Sequence, residues 1–123
     1  MKKYLLIAIA FSLIPFFLTS QNSKQMSYVK MNGDKVELRT ATGSYTRTIT
    51  DHAVSAQLNT NGDLVVVVKT DGKVELRKEG GSYVCTITDN AKDARFLGGD
   101  ILITKKDGKM ELRKQSGAYI RQM

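Results

Sequence analysis

The sequence predicts an all-β protein of about three similar units, each with four antiparallel strands, arranged as an open stack or an incomplete ring of sheets. Three observations predict this class. A segment recurs after a shift of 38 residues, short apolar or alternating runs are separated by turn dipeptides, and no proline follows Pro15. The units extend over about residues 26–52, 53–90 and 91–123.

The repeat is clearest in one motif, Lys-Val-Glu-Leu-Arg, which occurs twice and returns once with Met in place of Val. The three copies are Lys35–Arg39, Lys73–Arg77 and Lys109–Arg113. Between residues 35–56 and 73–94, 14 of 22 positions are identical, which chance does not produce. The third unit is two residues shorter, and the deletion falls in a predicted loop between Ala94 and Gly98.

The second unit shows the four strands most clearly. They are predicted over residues 53–59, 64–70, 73–78 and 82–88. Asn61-Gly62, Asp71-Gly72 and Gly80-Gly81 separate them as turns, because Asn-Gly and Asp-Gly favour positive φ. The apolar run Leu64–Val68 predicts a strand covered on both faces.

The other two units follow the same order with one difference. The third unit repeats it from residue 91 to residue 123, with Asp107-Gly108 as its central turn. The first unit lacks an opening strand, and its three strands are predicted over residues 26–31, 35–40 and 44–50. The chain is therefore expected to form eleven strands and no helix.

Four antiparallel strands in about 40 residues, repeated along a chain, resemble a β-propeller blade. The Trp-Asp and Gly-His signatures of WD40 repeats and the Gly-Gly plus aromatic pattern of kelch repeats are absent, and the chain has no Trp. The resemblance implies a propeller-like architecture without a named family. Propellers close with about four to eight blades, so nearly three blades predict self-association, with a six-blade dimer favoured. An open capped stack, a small barrel and a truncated propeller are the alternatives.

The N-terminal residues predict export. Two lysines precede the apolar run Tyr4–Leu18, and the small residues Thr19 and Ser20 follow it, which is the order of a secretory signal peptide. The run is shorter than the roughly 20 residues that span a bilayer as a helix. We therefore expect residues 1–20 to be removed before Gln21, leaving residues 21–123 secreted or periplasmic, without stable membrane insertion. An uncleaved anchor is the alternative.

The charge distribution argues against one class of partner, and the cysteine content excludes an internal disulfide. The formal net charge is +7, and basic residues are spread evenly along the chain rather than clustered. This spread favours a solvated surface and argues against nucleic-acid binding, which needs a basic patch. Cys85 is the single cysteine, so no internal disulfide can form.

The loops that follow the fourth strands contain the candidate binding residues. Asp51 and His52 in the first such loop correspond to Asp89 and Asn90 in the second. We expect these loops to share one face of the repeat, where propellers often carry function. An Asp at such a position also bonds backbone N–H groups of its own turn, and this structural role is favoured. His52 has no metal ligand or nucleophile near it in sequence, so no catalytic residue, metal site or cofactor is predicted.

Two other groups recur in every unit. The Glu-x-Arg motif predicts cross-strand ion pairs rather than a ring that binds a charged ligand. For Tyr45, Tyr83 and Tyr119 we expect core packing between sheets, in preference to a platform that stacks on sugars.

The leading hypothesis is an exported, non-catalytic binding or interaction module that presents its surface to a protein, peptide or glycan. A purely structural protein that assembles with itself or with an envelope complex is the alternative. A glycan-processing hydrolase is less favoured, because no catalytic constellation supports it.

Overall fold

The computed structural model describes residues 27–123. The predicted signal peptide, residues 1–20, and its cleavage site lie outside the described residues. The described chain is all-β and forms three antiparallel sheets of three, four and four strands, none of which closes on itself. The predicted fold class is confirmed, and the small barrel is excluded. Residues 27–123 contain no helix long and apolar enough to cross a bilayer.

Each sheet corresponds to one sequence unit, and the observed strand ends lie within two residues of the predicted ones. Sheet 1 has the order β1-β2-β3. Sheet 2 has the order β4-β5-β6-β7, and sheet 3 has the order β8-β9-β10-β11. The strands are β1 (Tyr28–Asn32), β2 (Lys35–Arg39), β3 (Tyr45–Thr50), β4 (Ala53–Leu58), β5 (Leu64–Lys69), β6 (Val74–Lys78), β7 (Tyr83–Thr88), β8 (Ala91–Leu97), β9 (Asp100–Lys105), β10 (Met110–Arg113) and β11 (Tyr119–Gln122).

The valine run of β5 explains why sheet 2 lies in the middle. Val65 to Val68 are all at most 1% exposed. Successive side chains of a strand point to opposite faces, so Val65 and Val67 pack towards sheet 1 while Val66 and Val68 pack towards sheet 3. The predicted burial of this strand on both faces is confirmed.

Two apolar cores hold the stack together, one between each pair of successive sheets. The core between sheets 1 and 2 contains Val36, Leu38, Ile49, Ala53, Val65 and Val67. The core between sheets 2 and 3 contains Val66, Val68, Val74, Leu76, Ile87, Ala91, Ala94, Ile101 and Ile103. Because each sheet buries its apolar face only against a neighbour, the stability of the stack depends on sheet-to-sheet contacts.

A glycine in the last turn of one sheet lies against the last strand of the preceding sheet, and this contact occurs twice. A β-carbon built on Gly81 would lie 3.4 Å from the carbonyl oxygen of Ile49 in β3. At the equivalent position in sheet 3, a β-carbon on Gly117 would lie 3.2 Å from the carbonyl oxygen of Ile87 in β7. The sheets therefore approach so closely here that a side chain has little room.

A side-chain hydrogen bond beside this glycine also occurs twice. Arg47 Nη1 of β3 donates to the carbonyl oxygen of Glu79 in sheet 2 over 3.3 Å. One sheet later, the thiol of Cys85 donates to the carbonyl oxygen of Gln115 over 3.2 Å. Different side chains at the same repeat position thus make the same sheet-to-sheet connection.

Candidate functional site

Two short linkers connect the sheets, and they contain all four of the predicted binding residues. Asp51-His52 joins β3 to β4, and Asp89-Asn90 joins β7 to β8. His52 and Asn90 both have a φ of 52°, in the left-handed region that Asn and His adopt more readily than most residues. This backbone conformation lets two residues turn the chain from one sheet into the next.

A lysine from the following sheet holds each linker in place. Lys69 Nζ donates to the carbonyl oxygen of Asp51 over 2.6 Å and to Thr50 Oγ1 over 3.0 Å. Lys105 Nζ donates to the carbonyl oxygen of Asp89, also over 2.6 Å. Because both lysines bond to the backbone oxygen of the Asp, they leave the Asp side chain available for other contacts.

Hydrogen bonds of the linker backbone connect the linkers to the neighbouring hairpin turns along one edge of the stack. The N–H of His52 donates to Asp34 Oδ2 over 3.3 Å, and the N–H of Thr70 donates to the carbonyl oxygen of His52 over 2.9 Å. The N–H of Lys106 donates in the same way to the carbonyl oxygen of Asn90 over 2.9 Å. This row consists of the two linkers and the turns at Asp34, Thr70 and Lys106, and we call it the linker edge.

The side chains of the linker edge are exposed, and their chemistry differs between the two linkers. His52 Nδ1 and Asp51 Oδ1 lie 3.0 Å apart, and the hydrogen bond from His52 lowers the pKa of Asp51. Among residues 27–123, the side chains of Asp89 and Asn90 make no hydrogen bond. Asn90 also lines a depression of about 220 Å³ together with Lys105, Lys106 and Asp107. No group of three or more His, Cys, Asp or Glu in the described part of the chain could hold a metal ion.

The recurring tyrosines lie at the opposite end of the outermost strands, and the expectation that they pack in the core is wrong. Tyr45, Tyr83 and Tyr119 are 55%, 53% and 54% exposed. A register shift explains this exposure in sheet 2: Leu76 pairs with Cys85, but the next residue, Arg77, pairs with Tyr83. The bulge reverses the alternation of faces, so Tyr83 does not share the buried face of Cys85. We call the three residues the tyrosine row.

Each ring of the tyrosine row is held by an arginine of the neighbouring strand. The guanidinium carbon of Arg77 lies 5.7 Å from the centre of the Tyr83 ring, and the other two units have 5.7 and 5.6 Å. Arg77 Nη1 donates to the carbonyl oxygen of Gly81 over 2.9 Å, and the hydroxyl of Tyr83 is hydrogen-bonded to Thr86. A cation over an aromatic ring within about 6 Å is attracted to it, so the arginine helps to orient the ring.

The Glu-x-Arg motif forms ion pairs, but within one strand and not across two as predicted. Arg77 Nε donates to Glu75 Oε1 over 3.0 Å, and the corresponding pair joins Arg113 to Glu111. Residues two apart on a strand share a face, which brings the two charges together. The glutamate thereby orients the arginine that supports each tyrosine.

No protein-family model and no curated protein matches this chain. Its function is therefore inferred from the linker edge and the tyrosine row. The sequence predicted the position of the linker residues between the sheets, whereas the predicted environment of the tyrosines is wrong, because the bulge has no clear signal in one sequence. The recurring Arg four residues before the glycine of each Gly-x-Tyr is the only trace of the arrangement in the sequence.

Proposed function

We propose that the chain is an exported, non-catalytic binding module built from propeller-like blades, and that its tyrosine row binds an extended glycan. The proposal is supported most strongly by one observation. Three tyrosine rings at equivalent positions of successive sheets are exposed to the same extent, between 53% and 55%, and each has an arginine over it. Rings that are already oriented lose little conformational freedom when a ligand binds.

The chemistry of the row favours a sugar polymer. The face of an aromatic ring carries partial negative charge and attracts the C–H groups of a sugar ring, while the hydroxyl at its edge can bond to sugar hydroxyls. Each arginine in the row is already paired with a glutamate, so the row presents rings without a strong net charge. Three copies of one contact group suit a ligand that itself consists of repeated units.

An immobilised-glycan array tests the proposal directly. The exported protein is compared with a variant carrying Tyr45→Ala, Tyr83→Ala and Tyr119→Ala. An aromatic contact contributes about 0.5–1.5 kcal/mol, so each ring lost should weaken binding roughly two- to tenfold. We expect the triple variant to lose binding to every glycan that the unchanged protein captures.

Two matched controls separate a binding role from a structural one. Leu97→Ala removes an exposed apolar side chain outside the row, 48% exposed, and should leave binding unchanged. Replacing the three tyrosines by Phe keeps the rings and should preserve most of the affinity. Binding that survives the triple Ala variant, or an array on which no glycan is captured, would refute the proposal.

The linker edge is a second candidate surface, favoured by the unbonded side chains of Asp89 and Asn90 beside a depression. The variant Asp89→Ala with Asn90→Gly keeps the left-handed backbone accessible and removes both polar groups. If this variant loses glycan binding while the tyrosine variant retains it, the ligand binds at the linker edge instead. Export is tested separately, by sequencing the N-terminus of the protein recovered outside the cytoplasm, which should begin at Gln21.

A further inference from the structure

We propose that two copies of this chain associate head to tail, with the outer face of sheet 3 of one copy packed on the outer face of sheet 1 of the other. Two such contacts close a ring of six sheets. This inference does not rest on the proposed glycan binding, because it is argued from the contacts between successive sheets. Tyr45 lies on the outer face of sheet 1, across Arg39 from Tyr28. Its counterpart Tyr83 is 53% exposed beside sheet 1, so a neighbouring sheet leaves the ring accessible.

The outer face of sheet 3 repeats a surface that sheet 2 buries, except that Thr104 takes the place of Val68. Ile101 and Ile103 of β9 pack towards sheet 2, so Leu102 and its cross-strand partner Leu112 point the opposite way. A shift of 36 residues relates these parts of sheets 2 and 3, as it relates Lys73–Arg77 to Lys109–Arg113. By this correspondence, which we call repeat position, the four apolar residues of this face match side chains in sheet 2 that are at most 4% exposed. The pairs are Leu102 with Val66, Met110 with Val74, Leu112 with Leu76, and Met123 with Ile87.

Part of this apolar face is open in the single copy. Met110 is 36% exposed and Met123 is 53% exposed, whereas Leu112 is already buried at 5%. Covering such side chains is favourable by roughly 25 cal/mol for each Å² of apolar area removed from water. A neighbour that covers sheet 3 as sheet 3 covers sheet 2 would therefore stabilise the stack.

The outer face of sheet 1 has a surface suited to this neighbour. Val29 and Met31 pack towards sheet 2, so the alternating residues Tyr28 and Lys30 point outwards. Both are exposed, and both combine an apolar body with a polar end. Such side chains can lie along an apolar surface while their polar ends stay in water or find partners.

The contacts that connect successive sheets are also available at both ends. Gly43 has a φ of +94°, like Gly117, but the only atom that a β-carbon there would approach within 4 Å is the Tyr28 hydroxyl, at 3.7 Å. By repeat position, Gly43 of one copy would lie against the carbonyl oxygen of Met123 in the other. Within residues 27–123, the glycine thus occupies the contact position of Gly81 and Gly117 with no preceding sheet against it.

The side-chain hydrogen bond between sheets can be continued in the same way. Arg121 stands at the repeat position of Arg47 and Cys85. Those two side chains donate to backbone carbonyl oxygens of the next sheet. The equivalent acceptor for Arg121 is the carbonyl oxygen of Ala41 in a second copy, so the donor end and the acceptor end lie on opposite faces of one chain.

One half of the contact lies on sheet 3 and the other half lies on sheet 1 of the same chain, which is why the partner is another copy of the chain. A head-to-tail contact pairs two different surfaces and forms a ring only if the rotation closes. Two copies supply six sheets, which lies within the roughly four to eight blades of closed propellers. A contact between two sheet 3 faces would leave Gly43 and the Ala41 carbonyl unused.

The mass of the assembled protein and two matched glycine variants test the contact. We expect sedimentation equilibrium of the exported protein to give twice the mass of one chain. Gly43→Ala and Gly98→Ala both place a β-carbon on a residue of positive φ, +94° and +63°, but a β-carbon on Gly98 meets nothing within 4 Å. Gly43→Ala should weaken dimerisation at least tenfold, and Gly98→Ala should leave it unchanged. A single-chain mass at about 0.1 mM, where even weak complexes form, would overturn the proposal.

Cross-linking tests the orientation of the two copies. In a Cys85→Ser background, Ala41→Cys with Arg121→Cys should give a covalent dimer with a short bis-maleimide, and neither change alone should. Arg47 and Glu79 stand at the repeat positions of Arg121 and Ala41, but both lie in one chain. The variant Arg47→Cys with Glu79→Cys should therefore form an internal cross-link, and its yield gives the yield expected for two cysteines in this geometry. Met110→Cys alone should not cross-link to itself. A covalent Met110→Cys dimer, or a pair yield far below that of the internal control, would refute the head-to-tail arrangement.

Discussion

Replacing Gly117 by Ala should destabilise the fold strongly, because two separate costs are added at this position. The φ of +94° lies in the left-handed region, where a β-carbon costs about 1–2 kcal/mol. The same β-carbon would lie 3.2 Å from the carbonyl oxygen of Ile87 and 3.3 Å from that of Thr86. Backbone atoms cannot rotate away, so sheet 3 must shift, and overpacking of this kind costs about 1–3 kcal/mol. We expect Gly117→Ala to lower the free energy of unfolding by about 2–5 kcal/mol.

Gly108→Ala is the matched reference for this change. Its φ of +93° gives the same backbone strain, but a β-carbon there has no neighbour within 4 Å. Urea unfolding followed by circular dichroism measures both variants under the same conditions. The difference between them, about 1–3 kcal/mol, isolates the contact between sheets 2 and 3. For a domain of this size it corresponds to a fall in melting temperature of about 4 °C or more.

Equal destabilisation of the two variants would refute this reasoning. It would mean that the cost comes only from the backbone conformation, and that sheets 2 and 3 do not approach closely at this turn. Equal values would also weaken the inferred contact at Gly43, since that contact is inferred by analogy with the one at Gly117.

Three other measurements test the core, the thiol and an ion pair. Leu76→Ala, at a side chain 2% exposed, should cost about 2–5 kcal/mol in urea unfolding, whereas Leu97→Ala, 48% exposed, should stay within about 0.5 kcal/mol. Burial raises the pKa of Cys85, so a disulfide reagent at pH 8 should modify the folded protein far more slowly than the urea-unfolded chain. Hydrogen bonds from Arg39 and then Asn32 lower the pKa of Glu37 below its usual value, so its contribution to stability is present at neutral pH and lost as the pH falls through the lowered value. The stability difference between the unchanged protein and Glu37→Gln should therefore be larger at pH 7 than at pH 3, and no change between these pH values would contradict it.

Most of the architecture could be predicted because the repeat reveals it three times. The turn dipeptides divided the chain into eleven strands, and the valine run of β5 identified the strand that is buried on both faces. Both signals are local: a period of two residues defines a face, and Gly supplies the backbone conformation of a turn. The same signals also placed the linker residues Asp51 and Asp89 at the ends of outer strands.

The environment of the tyrosine row could not be predicted from the same signals. Alternation places Tyr83 on the face of Cys85 and Ile87, and this holds only while the strand pairing is regular. The register shift between Leu76 and Arg77 inserts one residue and reverses the face. Whether a strand contains such a bulge depends on its pairing with a neighbour, which the sequence of the strand alone does not specify.

The lysines that hold the linkers were missed for a related reason. Lys69 and Lys105 look like ordinary surface charges at the ends of β-branched strands. Their ammonium groups nevertheless reach backbone oxygens 16 to 18 residues earlier in the chain. A contact of this kind becomes visible only once the order of the sheets in space is known.

Departures from the repeat are as informative as the repeat itself. Val65 and Val67 pack against a neighbouring sheet, and the corresponding positions of sheet 1 are Tyr28 and Lys30, which point away from any sheet within residues 27–123. At the other end, Leu112 keeps the identity of Leu76, although no sheet within residues 27–123 of the same chain covers it. A solvated cap would be expected to become polar at both ends, since terminal repeats of open arrays carry polar outer faces. Sheet 3 has Thr104 in place of Val68 and Arg121 in place of Cys85, but it keeps Leu102, Met110 and Leu112 as an apolar face. Sheet 1 has instead changed to amphipathic side chains, so the two faces differ in the way that a head-to-tail contact requires.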